Sequence, residues 1–156
     1  MEVLLKLKAA IEAELEGYFA GTEFFLVEVR VLPGYKIYVF ADSTHNITIQ
    51  QCATVSRHLE EFLETNNLVP EQYMLEVSSP GLDQPFRVSN QYEKAINTDV
   101  EVVLKDGRKL EGRLTDVSTS GLTLLESVMK KGKLIEEKVH DLSFEEIKTT
   151  KKTIIF

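Results

Sequence analysis

The sequence predicts a mixed α+β chain: an α-β-β-α-β unit with two helices on a three-stranded sheet, followed by a small β-barrel. Three observations predict it. Two stretches repeat apolar residues at spacings of three and four, as helices with one buried face do. Between and after them run segments alternating at period two, the mark of half-buried strands. Beyond Ala95 only short strand patterns remain, separated by frequent turns, which suits a small barrel.

The first helix is carried by Leu4, Leu7, Ile11, Leu15 and Tyr18, with charges between them and Gly21 placed to end it. Phe25, Val27, Val29 and Val31 alternate with Glu28 and Arg30, so Glu23–Leu32 reads as a strand. Pro33-Gly34 turns the chain into a return strand over Tyr35–Ala41. Thr48 and Gln51 have the spacing of a capping box, and Ile49, Cys52, Val55, Leu59 and Phe62-Leu63 continue a second helix. A third strand follows at Tyr73–Ser78. Two helices over one face of three strands is the economical packing for this order.

Ser89 can cap a short helix reaching Ala95. Val100–Leu104 and Lys109–Val117 flank Asp106-Gly107, a strong hairpin signal. Leu122–Val128 and Leu134–Asp141 are further strands, Ser143–Ile147 is one helical turn, and Lys148–Ile155 is the last strand. Gly112 inside a strand marks a bulge or sharp bend. The domain expectation is 1–84 for the acidic unit, 85–92 for a connecting segment and 93–156 for the barrel.

Charge separates the halves. Met1–Asn90 carries 6 Lys+Arg against 13 Asp+Glu, and Gln91–Phe156 carries 12 against 12, so the whole net charge of −7 sits in the first half. Such a body repels a phosphate backbone and attracts basic protein surfaces. The single cysteine, Cys52, rules out an intramolecular disulfide and fits a reducing compartment. The apolar N-terminal run is interrupted by Lys6 and Lys8, and no stretch approaches membrane-spanning length. A soluble, cytoplasmic protein with no membrane partner is expected.

The most specified segment is Leu75–Phe86, LEVSSPGLDQPF. A strand runs into Ser79-Pro80-Gly81, where proline fixes φ and glycine supplies the positive φ of a type II turn. Asp83 can accept backbone hydrogen bonds within the turn, and Pro85 stiffens the exit. Such a loop serves either as a recognition platform or as a domain junction. Ser78 and Ser79 lack the G-x-S-x-G surround of a nucleophile. His45, His58 and His140 match no metal-ligand spacing, so neither a metal nor any other cofactor is expected. Arg57 either reaches toward a partner or pairs with Glu60 or Glu61.

Three stretches, ITIQQCATVSRHLEEFLE, YMLEVSSPGLDQPF and SFEEIKTTKKTIIF, resemble the ribosome maturation factor RimP family, and the resemblance covers most of the chain. It implies an SH3-like (Sm-related) C-terminal barrel. It also implies a non-catalytic factor that binds the free or immature small ribosomal subunit and assists its late assembly. The implied partners are a basic ribosomal protein and adjacent ribosomal RNA, and nothing demands more than a monomer. The expected contact residues are Arg57, the signature residues Glu76, Ser78, Ser79, Pro80, Gly81, Leu82 and Asp83, and, as basic positions able to meet RNA phosphates, Arg108, Lys109 and Arg113. Two departures stand out. Gln84 replaces an arginine common in the family, removing a bidentate contact. Asn97 stands near a usual glycine, and asparagine also tolerates positive φ.

Two rival readings follow from the same residues. An Sm-like chaperone acting on free RNA would bind isolated RNA with a steep salt slope, which the net charge opposes. A hydrolase built on Ser78 and Ser79 would need a base that no motif supplies.

Overall fold

A computed structural model describes residues 2–81 and 84–153. The chain divides into two compact units, Met1–Pro80 and Gly81–Phe156. Each has its own hydrophobic cluster.

The first unit runs α1 (Glu2–Phe19), β1 (Phe24–Leu32), β2 (Lys36–Ser43), α2 (Ile49–Thr65) and β3 (Met74–Ser78). Its sheet has the order β1-β2-β3, with β1 antiparallel and β3 parallel to β2. A parallel return needs a crossover, and α2 supplies it. The capping box opens α2 as expected: Thr48 Oγ1 accepts from the Gln51 amide at 3.1 Å, and Gln51 Oε1 accepts from the Thr48 amide at 2.8 Å. Ile37, Val39 and Ala41 of β2 share one buried cluster with Leu7, Ile11 and Leu15 of α1 and Val55, Leu59 and Leu63 of α2. Both helices therefore cover the same sheet face.

Two sequence expectations are corrected here. Phe19, not Tyr18, completes the buried stripe of α1, because it continues the four-residue step from Leu15. In β1 the simple alternation breaks at a bulge between Leu26 and Glu28. Leu26 and Val29 both reach the helix-covered face, while Phe25 pairs with Asp42 on the other one.

The second unit runs α3 (Ser89–Lys94), β4 (Asp99–Leu104), β5 (Lys109–Val117), β6 (Gly121–Lys130), β7 (Lys133–Ser143), a 3-10 turn (Phe144–Glu146) and β8 (Ile147–Lys152). The five strands form one antiparallel sheet in the order β7-β6-β5-β4-β8. Val100, Val102, Leu104, Leu114, Leu122 and Leu124 fill its core. Ser89 is the first residue of α3, not its cap. The Gln91 carboxamide oxygen reaches back instead, accepting from the Arg87 and Val88 amides at 2.6 and 3.1 Å. Asn97 does adopt a left-handed backbone, with φ +72°. Gly112 marks no bulge. A Cβ there would strike the Leu125 carbonyl oxygen, so the glycine permits close backbone approach. The bulges fall between Val103 and Leu104, Leu114 and Asp116, and Val128 and Met129.

Candidate functional site

β3 is the outer strand of its sheet, so its exposed side is an edge. Leu75 and Val77 pack toward the helix-covered core, while Glu76 and Ser78 point to the opposite face. Register places Glu76 beside Tyr38 and Ser78 beside Phe40. Glu76 and Ser79 are exposed, whereas Ser78 and Pro80 are half-buried. The turn that follows closes from the Gln84 amide to the Gly81 carbonyl at 3.1 Å. Leu82 and Asp83, its two middle residues, lie outside the described residues.

Glu76, Ser78 and Ser79 share a groove of about 420 Å³ with Leu75 and Val77, and with Ile47, Thr48, Ile49, Cys52, Ala53 and Ser56 around the start of α2. Ile49 is 91% exposed at its mouth, an unusual position for a branched apolar side chain. The helix wall beyond it is small: Cys52 and Ala53 lie on one turn and Ser56 on the next. Burial raises the Cys52 thiol above its ordinary pKa, and the nearby Asp42 charge raises it further. Cys52 is among the buried residues of α2, where a free cysteine packs as a small apolar group. Among the described residues no histidine lines the groove beside Ser78 or Ser79.

Arg57 is exposed on α2 but is not among the groove's lining residues. Its guanidinium donates to Thr54 Oγ1 at 3.4 Å, and among the described residues it pairs with neither Glu60 nor Glu61.

The three cations expected in the second unit differ from one another. Arg108 is tied to Asp106, its Nε 2.9 Å from Oδ2 and its amide 2.9 Å from Oδ1. The Arg108 amide, with its guanidinium adding to the effect, holds the Asp106 carboxyl below its usual range. Lys109 Nζ lies 3.3 Å from Glu101 and 3.9 Å from Glu111. Arg113 is exposed and has no acidic partner among the described residues.

A family model described as the RimP N-terminal domain matches residues 14–83. A ribosome maturation factor RimP of Porphyromonas gingivalis is 38% identical over 110 residues, covering 70% of each chain. One from Cytophaga hutchinsonii is 36% identical over 156 aligned residues, covering 88% of this chain and 92% of the relative. The chain belongs to the ribosome maturation factor RimP family. The RimP match contains α2, β3 and the start of the Ser79–Gln84 loop, so the groove lies within it. Gln84 is exposed, and its amide closes the turn.

The histidines, which match no metal-ligand spacing in the sequence, each meet a glutamate in the fold. His58 Nε2 is 2.6 Å from Glu14 Oε2, His45 Nδ1 is 3.1 Å from Glu23 Oε2, and His140 Nε2 is 3.2 Å from Glu126 Oε1. The sequence separations, 44, 22 and 14 residues, hide these pairs from any local motif. Among the described residues no group of three His, Cys, Asp or Glu side chains is arranged to hold a metal ion. No described helix is long and apolar enough to cross a membrane.

Proposed function

We propose that this chain binds the free or immature small ribosomal subunit in the cytoplasm and assists its late assembly without catalysis. In this reading the acidic first unit docks a basic ribosomal protein, and exposed cations of the second unit add contacts to neighbouring ribosomal RNA. The observation that carries it is the charge distribution within a family of ribosome maturation factors: Met1–Pro80 holds 5 Lys+Arg against 12 Asp+Glu. Opposite charge steers encounter with a basic protein and discourages capture by naked RNA. The factor then acts by favouring one arrangement of the particle over others.

Co-sedimentation with free small subunits, free large subunits and complete ribosomes tests the reading. Selective recovery with free small subunits, weakening as salt rises, is expected. Equal recovery with all three particles, or none, overturns it. Tight binding to isolated RNA with a steep salt slope would favour an RNA chaperone instead.

A further inference from the structure

β3 offers more than a charged patch. The Met74 amide donates to the Tyr35 carbonyl at 3.0 Å, so Met74 turns its backbone groups toward β2. Alternation along the strand gives Glu76 and Ser78 the same direction. Leu75 and Val77 then turn their N–H and C=O groups outward, to an edge that pairs with no described strand. Their side chains stay half-buried, whereas Ile37 and Val39 beside them on β2 are fully buried. An edge left open this way is a template for another strand. The groove described above runs along it, bounded by the small residues Ala53 and Ser56 and by the exposed Ile49.

The chemistry of the edge selects its occupant. Among the described residues no lysine or arginine lines the groove, Glu76 does, and the Asp42 charge is felt at Cys52 in its wall. The usual guards of a strand edge are lysines, and here an acid stands in their place. An acidic strand would meet like charge there; a basic one meets opposite charge.

We infer that the free edge of β3 receives an extended, Lys/Arg-rich segment of the protein partner as a fourth strand of the first unit's sheet. Backbone hydrogen bonds to Leu75 and Val77 fix its register, its apolar side chains enter the groove against Ala53 and Ser56, and its cations meet Glu76. The identity of the partner as a basic ribosomal protein rests on the function proposed above; the strand addition rests on the geometry.

A seven-residue fluorescent peptide alternating lysine and valine is the probe, titrated onto the full chain. It should bind, and an alternating glutamate and valine peptide should not. Amide NMR shifts should centre on Leu75 and Val77. N-methylation of one alternate set of peptide amides should weaken binding by about tenfold, and of the other set hardly at all, because only one set faces the strand. Ala53→Arg, an exposed substitution compatible with a helix, should block the groove and abolish peptide binding while the circular dichroism spectrum is unchanged. Equal effects of the two N-methylated peptides, or shifts remote from β3, would overturn the strand addition. Co-sedimentation separates this idea from the proposed function. If the native chain recovers small subunits and Ala53→Arg recovers them equally well, the groove fails and the function stands. If the peptide binds as described but no subunit is recovered, the function fails and the groove stands.

Discussion

The imidazole of His58 stacks on the phenol of Tyr18, ring centroids 3.8 Å apart and planes within 9°. The same imidazole meets Glu14, one helical turn earlier on α1, at 2.6 Å. A single α2 side chain thus bridges two positions of α1 at the half-exposed margin of the helix layer. Replacing His58 by alanine should cost about 1 kcal/mol of stability, from the lost ring contact and hydrogen bond. Tyr18→Phe should keep most of it. Urea denaturation checks both, and an unchanged midpoint for His58→Ala would count against the bridge.

Two glycines should respond in opposite directions. A Cβ on Gly121 would collide with the Leu142 carbonyl oxygen and approach Leu142 C to 3.0 Å, backbone atoms that cannot move aside. Gly121→Ala should destabilise the second unit by about 3 kcal/mol. Gly17 lies in α1 with open space around it. Gly17→Ala should stabilise by about 0.5–1 kcal/mol, through helix propensity. Chemical denaturation of both variants makes the comparison.

Tyr73 should ionise late. Burial, then the charges of Glu64 and Glu60 and the hydrogen bond from its hydroxyl to Glu64, push its phenol up to about 12. The unfolded chain releases that proton near pH ~10, so the stabilisation is fully present below it and is lost as pH rises toward 12. Ultraviolet titration should show Tyr73→Phe removing one late phenol. Glu64→Gln should bring the same step to lower pH.

Arg113 and Arg108 offer a matched test of the second unit. Arg108 is already held by Asp106, and Arg113 is not held by any described acid. Arg113→Glu should therefore reduce recovery of small subunits more than Arg108→Glu does. The reverse order would show that the Asp106-Gly107 turn, with its arginine, is the contacting element.

The order of elements was legible because each depends on local periodicity or local turn chemistry. Thr48 with Gln51, and Asp106 with Gly107, act over two to four residues and form where expected. The β1 bulge was not legible, since it depends on how Leu26 and Glu28 match β2 across the ladder. The signature segment was visible as a strand and a turn, but its groove was not. That hollow exists because Leu75–Ser79 come to lie against Ile47–Ser56, which only the crossover through α2 decides. The histidine–glutamate pairs stayed hidden for the same reason.

The two hydrophobic clusters share no residue. A clash introduced at Gly121 therefore strains a core to which no side chain of α1, β2 or α2 contributes.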